Sequence, residues 1–126
     1  MPVRTIPAYQ QVKKMDRIEI NGEMYVKETP AGALEHAIIR TYSAGVFAGY
    51  VENRNGREVT LRNAIRLWKW DGAASLSQLA VEGVSKPNGC KFAMPVPRVI
   101  LTEAIEIIPT TNEAREIIEG IPSWKV

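Results

Sequence analysis

The chain has 126 residues and a mass of 14.0 kDa, which is the size of one domain. Its 16 Lys and Arg residues and 14 Asp and Glu residues give a net charge of +2, too small a surplus for a surface that neutralises a long nucleic acid. Cys90 is the only cysteine and His36 the only histidine, which excludes an intramolecular disulfide and a zinc site of Cys and His ligands within one chain. This composition favours a reducing, cytoplasmic setting.

The N-terminal region contains an irregular stretch followed by a hairpin pattern. Residues 1–14 hold two prolines and scattered basic residues without helix or strand periodicity, so we predict a flexible arm followed by a single domain over 15–126. Alternating apolar residues on both sides of Asn21-Gly22 predict a two-stranded hairpin, because Asn-Gly favours a type I′ turn. No apolar run approaches the roughly 20 residues that span a bilayer, so no membrane partner is predicted.

The middle of the chain has the pattern of a strand meander. Three strands are predicted between Ile38 and Trp70, with Asn55-Gly56 as the second hairpin turn. Strict alternation along the third strand would place Val59, Leu61, Ile65 and Leu67 on one face. The same alternation predicts an opposite row of arginine and tryptophan, namely Arg62, Arg66, Trp68 and Trp70.

The last third mixes helix and strand signals. Apolar spacing predicts a short helix near 74–82 that Ser75 caps, and a C-terminal helix near 111–120. Between them, the prolines Pro95 and Pro97 predict an extended or edge path, and Val99 to Ile108 reads as one strand. The predicted fold is therefore α+β, an antiparallel strand-rich sheet with two helices.

The residues offer little for catalysis. His36 would be a surface histidine at a strand start, and Cys90, although Lys91 is adjacent to it, is expected to be a partly buried structural thiol. Glu103 and Glu106 are three apart on a predicted strand and so would point to opposite faces. No nucleotide-binding or nucleophile motif occurs in the sequence. We therefore predict a binding protein without cofactor, rather than an enzyme.

Several features suit a small anionic ligand. Arginine beside indole can hold a phosphate and a base, although tryptophans two apart on a strand are also common core or interface anchors. Gly72-Ala73-Ala74-Ser75 starts a helix with small side chains that leave its backbone N–H groups open, as an ordinary capped helix also would. Arg57 after a turn and Asn88 in Pro-Asn-Gly could reach a ligand or simply be solvated.

Two segments carry a family resemblance, HAIIRTYSAGVFAG at residues 36–49 and LWKWDGAASL at residues 67–76. They resemble small bacteriophage proteins, the Thoeris anti-defence sponges, over about residues 36–108. The resemblance implies a protein in the cytoplasm of the infected bacterial host that sequesters cyclic ADP-ribose signals from TIR-domain enzymes and leaves them intact. It also implies a symmetric homo-oligomer with nucleotide pockets at subunit contacts, and in some members separate sites for cyclic oligonucleotides.

Ligand-binding positions are predicted from the matching segments and from two local features. The matching segments supply Arg40, Tyr42, Trp70, Gly72 and Ser75, and the local features supply Arg57 and Asn88. In this hypothesis Tyr42 or Trp70 stacks on the purine, Gly72 to Ser75 takes a phosphate, and Arg40 or Arg57 neutralises charge. The alternatives are a phage protein that binds a host protein through its Arg and Trp row, and a nucleotide-processing enzyme.

Overall fold

The computed structural model describes residues 18–20, 23–25 and 33–126. The chain divides into two units, Met1–Pro30 and Ala31–Val126. In the first unit, β1 (Ile18–Ile20) and β2 (Glu23–Tyr25) pair antiparallel with Ile20 opposite Glu23. This confirms the two strands of the predicted hairpin. Its turn and the predicted arm over residues 1–14 lie outside the described residues.

The described residues of the second unit form six strands and two helices, in agreement with the predicted α+β fold. Its elements in chain order are β3 (Glu35–Thr41), β4 (Val46–Asn55), β5 (Glu58–Lys69), α1 (Leu76–Glu82), a 3-10 turn (Pro87–Gly89), β6 (Lys91–Phe92), β7 (Val96–Leu101), β8 (Ala104–Pro109) and α2 (Asn112–Gly120). Both predicted helices are present, and no helix in the described part of the chain is long and apolar enough to cross a membrane.

The six strands form one antiparallel sheet whose two edges meet. Its order is β6-β5-β4-β3-β8. β7 also pairs with β5: it pairs with the first half of that strand, and β6 pairs with the end of it. β7 thus lies at one edge and β8 at the other, yet only Thr102 and Glu103 separate these strands. The sheet must therefore curl until its edges come together. The single strand predicted from Val99 to Ile108 is wrong, because this short break divides it into two strands at opposite edges.

Both faces of the sheet are buried at β3, which explains why this strand reads as a continuous apolar run. Ile38 on one face packs into a cluster with residues of α1 and α2, which we call the helix-side core. Its neighbours Ala37 and Ile39 point the other way, into a second cluster that the curled sheet encloses, called the barrel core here. One face is thus covered by helices and the other by the sheet itself.

A β-bulge changes the facing of β5 at its middle. The pairing with β4 shifts between Ala48 and Tyr50, and Asn63 opposite this shift has a positive φ of 50°. The intervening Gly49 is tightly enclosed, since a Cβ there would lie 3.2 Å from Ala64 Cα. The predicted unbroken alternation of β5 is therefore wrong. Its apolar residues divide between the two cores, Val59 and Leu61 in the barrel core and Ile65 and Leu67 in the helix-side core.

Candidate functional site

A cleft of about 660 Å³ lies between the β4–β5 turn and the first half of β8. The turn contributes Arg54, Gly56 and Arg57, and the strand contributes Ala104, Ile105, Glu106 and Ile107. We call this the β8 cleft. Its two sides are joined by the backbone, because the N–H of Ala104 donates to the carbonyl of Arg57 at 2.9 Å. The sheet closure described above therefore also builds the cleft.

Local irregularities expose the groups that line the β8 cleft. Gly56 has a φ of 62°, which permits the tight turn that places Arg54 and Arg57 on either side of it. On the opposite side, the pairing of β3 with β8 shifts so that Arg40 faces Glu106 but Thr41 faces Ala104. Ile105 is left without a partner and is 45% exposed. The cleft thus combines guanidinium groups with an apolar wall.

Two further predicted residues border the same strand. Arg40 Nε donates to Glu106 Oε1 at 3.1 Å, next to the cleft. The backbone N–H of Tyr42 donates to the carbonyl of Glu103 at 2.9 Å, which places Tyr42 beside the start of β8. Its ring is 78% exposed and free to stack on a planar ligand. Arg40, Tyr42 and Arg57 are therefore brought together around one strand.

The other predicted residues form a second group, around the start of α1. Trp70 is partly buried against the helix-side core. Gly72 has a φ of 87°, and its carbonyl accepts hydrogen bonds of 3.2 Å from both the backbone N–H and the hydroxyl of Ser85. Asn88 is exposed in the 3-10 turn that follows. Among the described residues, no hydrogen bond or cavity joins this group to the β8 cleft.

The start of α1 is already satisfied by its own side chains. Ser75 Oγ accepts from the backbone N–H of Gln78 at 3.1 Å, which confirms the predicted cap. Gln78 Oε1 in turn accepts from the N–H of Ala74 at 2.7 Å. Ser75 and Gln78 thus cap the helix start together, although the Gln78 side chain bonds to the N–H of Ala74 and not to that of Ser75 as in a capping box. One backbone donor of the Gly72 to Ser75 segment, the N–H of Ala74, is therefore engaged within the helix start.

The predicted row of arginine and tryptophan is divided by the β5 bulge. Arg62 forms an ion pair with Glu52, whose carboxylate also pairs with Arg98. Arg66 lies over the rings of Phe47 and Trp68, at 4.7 and 5.5 Å from their centroids. Trp68 in turn contacts Trp124 edge to face. The single row is therefore a wrong prediction.

A cationic aromatic surface remains from that row. Trp68 and Trp124 are 59% and 51% exposed, and Lys91 Nζ lies 5.2 Å from the Trp124 ring centroid. Trp124 is held here by its backbone N–H, which donates to the carbonyl of Phe92 at 2.8 Å. We call the four side chains Arg66, Trp68, Lys91 and Trp124 the tryptophan patch. It has the composition of an interaction surface.

His36 is buried, so its prediction as a surface histidine is wrong. It is 7% exposed and contacts Tyr50 edge to face, with ring centroids 4.8 Å apart. Burial lowers its pKa from 6.5 to about 4; the carboxylate of Glu119 opposes this shift and the guanidinium of Arg115 adds to it. The imidazole is therefore neutral at pH 7.

Sequence reasoning missed the other groups that form these sites. Arg54 gave a weak signal, since it mirrors Arg57 across Asn55-Gly56, but Ile105 and Glu106 reach the cleft only through the long-range pairing of β8. A grouping of His, Cys, Asp and Glu side chains suited to a metal ion does not occur in the described part of the chain.

A family model for a domain of unknown function, DUF6948, matches residues 34–118. Neither a curated protein nor a solved structure matches the chain. The matched segment contains the β8 cleft, the surroundings of His36 and every predicted ligand-binding residue. Trp124 of the tryptophan patch lies beyond it.

Proposed function

The chain belongs to the DUF6948 family, described as a domain of unknown function, and we propose that it is a non-enzymatic protein that sequesters a cyclic ADP-ribose signal. Sequestration would block TIR-dependent bacterial immunity in a phage-infected cell. The resemblance of residues 36–49 and 67–76 to the Thoeris anti-defence sponges supports this choice of ligand. The rest of the support comes from the chemistry of the β8 cleft.

The observation that carries the proposal is the position of Arg57 in the lining of the β8 cleft, with Arg40 and Tyr42 beside the strand that forms its other side. Its volume of about 660 Å³ is within the range of roughly 300–1,000 Å³ usual for small-molecule sites. Guanidinium groups form paired, charge-assisted hydrogen bonds with phosphate oxygens. The exposed ring of Tyr42 offers a stacking surface for a purine. A cyclic ADP-ribose carries these two features, a pyrophosphate and an adenine.

The lining of the β8 cleft also supports binding without turnover. Glu106 is the carboxylate among its lining residues, and it is engaged by Arg40. Hydrolysis of a glycosidic or phosphate bond usually needs an acid and a base, or a metal-activated water. The arginines of the cleft can hold an anion. The one carboxylate beside them is paired with Arg40 and has no second acid or base with which to transfer a proton. We expect the bound nucleotide to leave unchanged.

The second group of predicted residues would bind the ligand only in an oligomer. Trp70, Gly72, Ser75 and Asn88 surround the start of α1 and do not line the β8 cleft. In a symmetric oligomer, this group from one subunit would complete the cleft of the next. The homo-oligomer implied by the resemblance provides such a contact. Light scattering with and without ligand would give its subunit number.

Titration calorimetry with purified protein and the cyclic ADP-ribose isomers tests the proposal. Tyr42→Ala should weaken binding by roughly tenfold, the value of one lost base-stacking contact, whereas Tyr42→Phe keeps the ring and should bind within about twofold of wild type. Absence of binding by the wild-type protein to every isomer would sink the proposal. Equal affinity of Tyr42→Ala and Tyr42→Phe would remove the stacking role.

A second candidate function is a protein interaction module, which the tryptophan patch favours. Cations already lie over the Trp68 and Trp124 rings, which leaves less room for stacked bases and suits protein side chains better. Under this alternative, Trp68→Ala should abolish capture of a specific host protein, and cyclic ADP-ribose should produce no thermal shift. A ligand-dependent thermal shift that Trp68→Ala retains would favour the sponge instead.

A further inference from the structure

A second, smaller cavity of about 320 Å³ lies between the sheet and the start of α2. Its lining includes the polar residues Glu35, His36, Tyr50, Thr110, Asn112 and Arg115. We call it the histidine pocket. It shares no residue with the β8 cleft and no residue with the predicted ligand-binding set.

The hydrogen bonds of His36 determine which ring nitrogen carries the proton. The hydroxyl of Thr110 donates to the backbone carbonyl of His36 at 3.1 Å. Since that hydroxyl has one hydrogen, both contacts form together only when its oxygen accepts from Nδ1–H of His36, at 2.6 Å. The neutral ring therefore presents an unprotonated Nε2. Nε2 has no hydrogen-bond partner among the described residues and is not one of their fully buried atoms, so a ligand can reach it.

Tyr50 fixes the imidazole from the neighbouring strand. His36 and Tyr50 are directly paired across β3 and β4, and their rings are in contact. The Tyr50 hydroxyl donates to Glu119 Oε2 at 2.7 Å, which ties this wall of the pocket to α2. The imidazole is thus held on two sides, by Thr110 and by Tyr50. An acceptor held this rigidly can select a ligand by the position of one donor group.

The opposite side of the pocket supplies hydrogen-bond donors. Asn112 is the first residue of α2, where backbone N–H groups have no partner within the helix. Its side-chain amide and the guanidinium of Arg115 line the same space. Arg115 Nη1 donates to Glu119 Oε1 at 3.2 Å and Nη2 lies 3.9 Å from Glu116 Oε1, which together leave some of the five guanidinium N–H groups for a ligand. This side therefore suits a carboxylate, whereas His36 Nε2 requires an N–H or O–H.

We propose that the histidine pocket binds a small organic acid with a hydroxyl or amino group next to its carboxylate, that is, a 2-hydroxy acid or an α-amino acid. The carboxylate accepts from Arg115 and Asn112, and the neighbouring group donates to His36 Nε2. Glu35, also in the lining, is a second acceptor for an ammonium or hydroxyl. A ligand with only one of the two groups leaves the other side unsatisfied.

The single histidine makes a direct test possible by ¹⁵N NMR, because His36 supplies the only imidazole signals. The probes are glycolate and glycine, which carry both groups, acetate, which lacks the donor, and ethanediol, which lacks the acid. Each is added at pH 7 up to about 50 mM, since ligands of four or five non-hydrogen atoms bind weakly. Glycolate and glycine should shift the Nε2 resonance saturably, and acetate and ethanediol should not. An unshifted Nε2 with all four probes, or equal shifts with acetate and glycolate, would overturn the proposal.

A variant pair tests the carboxylate side. Arg115→Met should reduce glycolate affinity by at least about tenfold, as expected when a charged hydrogen-bond partner is lost. Arg98→Met, which removes an arginine outside the pocket lining, should leave it unchanged. If Arg115→Met does not fold, Asn112→Ala takes its place, with a smaller loss expected. Wild-type glycolate affinity in both Arg115→Met and Asn112→Ala would contradict the assignment.

Discussion

The carbonyl oxygen of Arg57 accepts a hydrogen bond of 2.9 Å from the backbone N–H of Ala104. The β4–β5 turn is therefore attached to β8 by main-chain atoms, and the Arg57 side chain is left for other contacts. This separates the role of the residue in the fold from its proposed role in binding.

Replacing Arg57 should accordingly affect affinity more than stability. Arg57→Ala should weaken cyclic ADP-ribose binding by at least about tenfold, since a charged hydrogen bond is worth roughly 1.5–3 kcal/mol. Its free energy of unfolding should stay within about 0.5 kcal/mol of wild type, as for most exposed positions. Calorimetry and urea denaturation measure the two quantities. Lys125→Ala removes the same charge outside the cleft and should change neither the affinity nor the free energy of unfolding. Equal affinities of Arg57→Ala and Lys125→Ala would contradict the role of Arg57.

The β5 bulge should make Gly49 intolerant of substitution. A Cβ at Gly49 would lie 3.2 Å from both Ala64 Cα and the carbonyl oxygen of Arg62, and backbone atoms there cannot move aside easily. Gly49→Ala should lower the free energy of unfolding by about 1–3 kcal/mol, the usual cost of overpacking. Gly120→Ala is the matched control, because a Cβ at Gly120 meets nothing within 4 Å and its φ is not positive. It should be neutral or stabilise by up to about 1 kcal/mol. Equal stabilities of the two variants would contradict the tight approach at the bulge.

Burial of His36 should make stability depend on pH. Because burial holds its folded-state pKa at about 4, below 6.5 in the unfolded chain, the unfolded state binds the proton more readily. The contribution of the neutral His36 to the free energy of unfolding is fully present above pH 6.5 and is lost as the pH falls toward 4. It amounts to at most about 3 kcal/mol. Urea denaturation between pH 4 and 7 should show this loss in the wild-type protein.

His36→Gln provides the control for that pH dependence, since it lacks the titrating ring. Its free energy of unfolding should change less than that of the wild-type protein between pH 6.5 and 4. An NMR titration of the single imidazole gives the pKa directly. A value near 6.5 would show that the ring is not desolvated in solution.

The cap of α1 allows the roles of Ser75 in folding and in binding to be separated. Its hydroxyl accepts from Gln78 N–H at 3.1 Å, so Ser75→Ala should cost about 1 kcal/mol of stability. Ser75→Asp retains an acceptor and should keep the cap, but it places a negative charge where the hypothesis puts a phosphate. If Ser75 contacts the ligand, calorimetry should show weaker binding by Ser75→Asp despite its intact stability. Unchanged affinity in both variants would restrict Ser75 to capping.

Much of the fold follows from short-range sequence signals. Asn55-Gly56 predicts a hairpin at this place, where Asn55 ends β4 opposite Glu58, and Gly56, with its positive φ, forms the turn together with Arg57. Ser75 and Thr111 predict helix starts through local hydrogen bonds. These features depend on residues three or four apart. They were predictable for that reason.

The features that were missed depend on contacts between distant parts of the chain. The division of β7 from β8 becomes visible only when Leu101 pairs with Val59 while Ala104 pairs with Thr41. The apolar alternation along β5 continues on both sides of Asn63, so the sequence pattern did not reveal that the facing changes there. His36 is buried by elements that include Thr110, 74 residues away in sequence. The β8 cleft and the histidine pocket arise from such pairings, so their residues could be predicted only in part.

The central claim is that the protein holds a cyclic ADP-ribose signal and leaves it intact. Mass spectrometry of material released by heating protein purified from cells that make the signal tests this most directly. We expect one small cyclic nucleotide with the mass of the unmodified signal, and much less of it from Arg57→Ala. Recovery of a linear hydrolysis product would contradict the absence of turnover, and recovery of no nucleotide from the wild-type protein would contradict binding itself.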